Sequence, residues 1–114
     1  MTGKSYRNIS GFKELEAFVQ KKDAVLVYFS TTECSVCKVL KPKVAVLLEE
    51  CFPKIDKAYI EMNQTPEIAA QNRVFTAPTI VVFFAGKEYI RKSRSFSLDE
   101  LKLEIERIYL RMFS

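Results

Sequence analysis

Residues 24–37 read Ala24-Val25-Leu26-Val27-Tyr28-Phe29-Ser30-Thr31-Thr32-Glu33-Cys34-Ser35-Val36-Cys37. The first six are β-branched, aliphatic and aromatic, the composition of a buried strand. Beyond the cysteines, Val36, Val39, Leu40, Val44, Leu47, Leu48 and Cys51 recur at helical spacing. A strand therefore gives way to a helix, and the two thiols fall on its first turn. Cys34 is placed near the helix N-terminus, where unpaired N–H groups and the helix dipole stabilise a thiolate. Cys37, three residues on, shares its face and lies within reach of a disulfide. A strand, a Cys-x-x-Cys turn and a helix form a redox motif.

The chain has 114 residues, 48% of them apolar and 28% charged, which fits one soluble domain over residues 1–114 with one real core. The longest apolar run, Ile80 to Ala85, is too short to cross a membrane, so no membrane partner is expected. Met1 to Arg7 lacks the apolar core of a secretory signal, and a cytoplasmic location is expected. The net charge of +4 is modest. Its one cluster, Arg91-Lys92-Ser93-Arg94, lacks interleaved stacking aromatics and reads as a solvated strand edge rather than a nucleic-acid or phosphate site. Three cysteines and no histidine argue against a disulfide-stapled secreted fold and leave zinc short of ligands.

Upstream, Ser5 to Ile9 reads as a short strand. Ser10 reads as the cap of a helix with an apolar stripe of Phe12, Leu15, Phe18 and Val19, ended by Lys21-Lys22-Asp23. Downstream, Pro42 interrupts the long helix, which runs to about Cys51. After the connector Phe52-Pro53-Lys54, Lys57 to Met62 alternates as a strand. Thr65-Pro66-Glu67 opens a helix reaching about Arg73, with Thr65 as its cap. Thr79 to Ala85 is a strand buried on both faces, and a Gly86-Lys87 turn folds it against Glu88 to Lys92. Ser97 and Glu100 form a capping box for a last helix with Leu98, Leu101, Ile105, Ile108 and Leu110 on its apolar side. Phe29, Phe75, Phe83 and Phe84 read as core. The order β-α-β-α-β-α-β-β-α makes an α/β fold, a mixed central sheet with helices on both faces.

That order, with Cys-x-x-Cys after the second strand, resembles the thioredoxin family across essentially the whole chain. Lys38 and Pro42 stand at the family's spacing after the motif. Asn63-Gln64-Thr65-Pro66-Glu67 looks like its entry to the third helix, and Gly86 its hairpin turn. Ala77-Pro78-Thr79 matches the loop that holds a cis-proline beside the disulfide. The resemblance implies a thioredoxin fold, a cis Pro78, and Ala77 and Pro78 as the backbone against which an extended substrate lies. It also implies an upstream thioredoxin-reductase-like electron donor and a place in electron transport and cell redox homeostasis. The chain departs from the family around the motif. Glu33 stands where tryptophan is usual before the first cysteine, and Ser35-Val36 replace Gly-Pro. Tyr28 occupies the position of a buried aspartate, Tyr59 that of its companion lysine, and Arg94 that of a glycine beside the substrate groove.

The residues support a direct mechanism. Cys34 as thiolate attacks a substrate disulfide, and Cys37 then attacks the Cys34 sulfur and releases reduced substrate. Lys38 and Lys41 favour the thiolate and Glu33 opposes it. Against this stand two core cysteines at a coincidental spacing, or a zinc pair. Cys51 lies on the same helix about 20 Å from Cys37 at 1.5 Å of rise per residue, too far to bridge. It reads as a small core hydrophobe, with a regulatory thiol the minor alternative. Tyr28 and Tyr59 read as packing residues, and Glu33 as an exposed charge with proton shuttling the alternative.

The leading expectation is a monomeric reductase of protein disulfides needing no cofactor or metal beyond the Cys34–Cys37 disulfide. The alternatives are a disulfide oxidase or isomerase, or a binding or chaperone module with a non-catalytic cysteine pair. A glutathione-linked role lacks an assembled set of residues for the tripeptide.

Overall fold

The structure is a computed structural model that describes residues 6–94 and 96–113. Its elements run β1 (Arg7–Asn8), α1 (Phe12–Lys21), β2 (Ala24–Ser30), α2 (Ser35–Cys51), β3 (Asp56–Glu61), α3 (Pro66–Gln71), β4 (Thr79–Phe84), β5 (Lys87–Ser93) and α4 (Leu98–Phe113). The expected element order holds, and the strands form one mixed sheet in the order β1-β3-β2-β4-β5. β1 and β2 run parallel to β3, while β4 runs antiparallel to β2 and to β5.

Strand β2 is central, and all seven of its residues are buried. Because side chains alternate along a strand, Leu26 and Tyr28 face one layer, with Val44 and Leu48 of α2 and Leu101 and Ile105 of α4. Val25, Val27 and Phe29 face the other, with Leu15 and Val19 of α1 and Ile68 and Ala69 of α3. Phe29 and Phe84 are core and Phe83 is partly buried. One cation is buried as well: the Lys57 ammonium lies 3.6 Å from the Glu49 carboxylate.

Several local expectations are corrected. Helix α1 takes Gly11, not Ser10, at its capping position, and the Ser10 N–H donates to the Glu14 carboxylate. Thr65 does take the capping position of α3, but its side chain caps no N–H; its hydroxyl donates to the Glu61 carbonyl at 2.9 Å. Strand β1 is shorter than expected, and Ser5 lies outside the described residues. The hairpin turn is Ala85-Gly86 rather than Gly86-Lys87, both with positive φ (53° and 81°), the twist that suits a two-residue hairpin. Helix α3 stops at Gln71. There the Val74 N–H reaches the Ala69 carbonyl and the Arg73 N–H the Ala70 carbonyl, a Schellman closure with Arg73 left-handed at φ 57°.

That closure accounts for Phe75. It turns Val74 inward and sends Phe75 out, 77% exposed instead of core. Cys51 is also exposed, because α2 ends there and Phe52 fills the core in its place. Leu110 is exposed too, while Leu101 and Ile105 carry the contact of α4. At the other end of α4, the Ser97 hydroxyl accepts from the Glu100 N–H as expected, but the Glu100 carboxylate goes to Lys92. Two charges of the basic cluster sit on the edge strand β5 and are engaged, Arg91 with Glu88 and Lys92 with Glu100 and Glu104, while Arg94 follows the strand and is exposed.

Candidate active site

Cys34 caps α2 with extended backbone, and its Sγ accepts the Cys37 N–H at 3.1 Å. The Cys34 N–H in turn donates to the Thr31 carbonyl at 3.3 Å, which folds the chain from β2 into the helix. The two cysteines are disulfide-bonded, with Cα atoms 5.3 Å apart. They differ in access: Cys34 is half-buried, whereas Cys37 is 1% exposed inside the core on the α2 side of the sheet. The sulfur at the helix terminus is therefore the more accessible of the two. The N-terminal end of a 17-residue helix favours negative charge at Cys34.

The flanking residues divide in two. Ser35, Val36 and Lys38 are exposed around the disulfide. Glu33 is exposed too, but it is anchored. Its carboxylate accepts from Asn63 Nδ2 at 2.8 Å and from the Thr32 hydroxyl at 2.9 Å. The Asn63 bond first, and then the Thr32 bond, hold its carboxyl below the usual range, so it is an anion tying the motif loop to the end of β3. In the sequence Asn63 stands out only as part of the approach to α3. Its tether to Glu33 is a contact between residues far apart in the chain.

Behind the disulfide lies a cluster of three tyrosines. The fully buried Tyr28 donates its hydroxyl to the Cys37 carbonyl at 2.7 Å. Its ring stacks on Tyr59 on the neighbouring strand, and Tyr6 packs edge-on against both. The Tyr6 hydroxyl donates to the Lys41 carbonyl at 2.9 Å. Two phenols thus bond carbonyls one turn apart on the first half of α2, next to Pro42, which itself offers no N–H. Burial pushes both phenols well above the usual tyrosine value, so they are donors at neutral pH. Lys41 faces this cluster, its Nζ 3.7 Å from the Tyr59 ring centroid, a cation–π contact, and burial pushes its pKa down. The position expected to match a buried acid thus holds a packed phenol bonded to backbone, not to sulfur.

The Ala77–Pro78 bond is cis, as expected. The loop is held at both ends: the Thr79 hydroxyl donates to the Thr76 carbonyl at 2.7 Å, and the Arg94 N–H to the Pro78 carbonyl at 2.9 Å. Ala77 and Cys34 pack against the same core cluster, so the loop and the cysteine pair share one end of the sheet. Pro78 is buried there and Ala77 half-buried, so Ala77 is the part of this pair that reaches the surface. Phe75 stands out from the same loop, a surface residue where the sequence predicts core. Among the described residues, no three His, Cys, Asp or Glu side chains converge to hold a metal ion.

The comparisons agree with this geometry. The Thioredoxin family model matches residues 9–107. The thioredoxin-like protein YdfQ of Bacillus subtilis (strain 168) is 26% identical over 106 residues, covering 93% of this chain and 94% of that protein. Among solved structures, a mutant thioredoxin from Halobacterium salinarum NRC-1 superposes with a TM-score of 0.83 at 26% identity, covering 96% of this chain and 95% of the other. Fasciola hepatica thioredoxin gives 0.79 at 30% identity, covering 89% and 97%. A match to the family model over most of the chain, joined to a disulfide at a helix terminus beside a cis-proline loop, decides the matter: the chain belongs to the thioredoxin family and is a thiol–disulfide oxidoreductase, a protein-disulfide reductase with a redox-active cysteine pair.

Proposed function

We propose that Cys34 is the attacking thiol and Cys37 the resolving thiol in the reduction of protein disulfides. The unequal access of the two sulfurs carries this reading. In the reduced protein the Cys34 thiolate attacks one sulfur of the client disulfide; that S–S bond breaks, a Cys34–client disulfide forms, and the other client sulfur leaves as a thiolate that takes up a proton. Cys37 loses its proton and attacks Cys34 Sγ. The mixed disulfide breaks, the second client thiol is released, and the Cys34–Cys37 disulfide forms. Two electrons from an upstream thioredoxin-reductase-like donor restore the dithiol.

Ala77 and the backbone at Pro78 bind the client beside the disulfide, and Ser35, Val36, Lys38 and Phe75 border it. The exposure of Val36 (59%) and Phe75 supports an apolar rim that a client covers. Glu33 acts by position, as an anchored charge. The protein works as a single-domain monomer in the cytoplasm, within electron transport and cell redox homeostasis. Among the described residues, no helix is long and apolar enough to cross a membrane.

The test is a trap. Reduced Cys37→Ser mixed with a disulfide-bonded protein client accumulates a mixed disulfide, mapped to Cys34 by peptide mass analysis and released by dithiothreitol. Reduced Cys34→Ser accumulates none. A stable adduct through Cys37 in the second variant would reverse the two roles.

A further inference from the structure

Which clients the pair takes is a separate question, and its answer here rests on the reductase reading above. Four chain segments meet at the end of the sheet that carries the disulfide. β2 and its parallel neighbour β3 end there, β4 begins there and β5 ends there. Thr79 pairs with Phe29 on one side and Ser93 on the other, so Pro78 and Arg94 flank the exit of β2 toward Cys34.

Arg94 is the unusual residue of this group. Its backbone is left-handed, at φ 61°, a conformation that glycine adopts freely and a long side chain does not. Among the described residues two other non-glycine residues share that conformation, and each has a local cause. Arg73 closes α3, and Ala85 forms the hairpin turn. At Arg94 the N–H is fixed to the Pro78 carbonyl, and the side chain is exposed. Its neighbours on β5, Arg91 and Lys92, are paired with carboxylates, whereas Arg94 forms no ion pair among the described residues. On the opposite flank of the disulfide stands a carboxylate that is itself anchored, Glu33, held by Asn63 just past the end of β3. Lys38 lies near enough to Glu33 to help hold its carboxyl down, so that flank carries both signs, whereas on the β5 side Arg94 presents a positive charge with no ion-pair partner among the described residues.

We propose that Arg94 is a client-selecting residue, favouring disulfide-bearing segments that place an acidic side chain on the β5 side of the reacting sulfur. A guanidinium presents a planar fork that a carboxylate accepts in two parallel bonds. The fixed Cα delivers this fork beside the Pro78 loop, while the exposed side chain adjusts to the client. The pair forms in water and is screened by salt, so it contributes about a two- to fivefold preference and no more.

The test uses two peptides, each closed by one intramolecular disulfide and identical except for Glu or Lys beside the reacting cysteine. Pre-reduced protein is mixed with each at low ionic strength, the reaction is quenched by alkylation, and the rate constants are compared. The acidic peptide is reduced about two to five times faster. The preference disappears in Arg94→Gly, inverts in Arg94→Glu, and shrinks in about 0.5 M salt, where the Debye length falls to a few ångströms. Glycine suits the backbone at this position, so Arg94→Gly retains the fold, which thermal unfolding verifies. Equal rates for the two peptides in the unaltered protein overturn the proposal, as does a preference that survives in Arg94→Gly. Failure of the unaltered protein to reduce either peptide overturns the reductase reading beneath it.

Discussion

Replacing Tyr28 by phenylalanine tests what this buried phenol does. The substitution removes one hydroxyl and keeps the ring, so the stack on Tyr59 and the edge contact with Tyr6 survive. What is lost is the 2.7 Å hydrogen bond to the Cys37 carbonyl, in a side chain with no solvent exposure. A buried bond of this kind contributes about 1 kcal/mol net. For a domain of this size that lowers Tm by about 4–6 °C, measurable by far-UV circular dichroism on oxidised and reduced protein. The chemistry behaves differently. The hydroxyl touches a carbonyl rather than a sulfur, and burial keeps it protonated far above neutral pH. Tyr28→Phe therefore leaves the pH dependence of Cys34 alkylation and of client reduction where it was. An apparent pKa that moves by about a full unit, equivalent to about 1.4 kcal/mol, would refute a purely structural role. So would an unchanged Tm, since the bond would then contribute nothing.

Two further predictions concern stability. Tyr6 and Tyr28 have folded pKa values above the ordinary tyrosine value near 10. Below that value their contribution is fully present. Above it the unfolded phenols release protons that the folded ones keep, and stability falls by up to about 1.4 kcal/mol per pH unit for each. Urea unfolding at several pH values above 10 measures the slope, and Tyr28→Phe reduces it; an unchanged slope in that variant would contradict the burial of the phenol. Ala85→Gly relieves a left-handed alanine in the hairpin turn and raises stability by about 0.5–1 kcal/mol in the same assay. A loss of stability there would mean that the methyl group makes contacts worth more than the strain.

The parts of the fold that were legible rest on local chemistry. β2 declared itself by an unbroken apolar run, and burial on both faces follows from its place in the middle of the sheet. The cysteine spacing required only a helix start, and α4 announced itself through Ser97 and its apolar stripe. What escaped the sequence turned on single residues or on contacts between distant ones. Phe75 looks like core until the Schellman closure of α3 makes Val74 the inward residue. Cys51 sits at helical spacing from Val44 and Leu48, yet the chain leaves the helix there and Phe52 takes the core position. Lys57 begins an alternating strand like any exposed lysine, and only the packing of α2 over β3 buries it beside Glu49. The tyrosine cluster joins β2, β3 and the residue just before β1, and no spacing within one segment signals it.

Every role assigned to the residues around the disulfide depends on the Cys34–Cys37 pair working as a reductant. The measurement that tests this most directly is its reduction potential, by equilibration in dithiothreitol redox buffers followed by thiol trapping. A reductant of this kind shows a reversible two-electron couple near that of thioredoxin, about −270 mV. A value near −120 mV, in the range of a strong disulfide oxidant, would contradict it, as would a pair that fails to cycle between dithiol and disulfide.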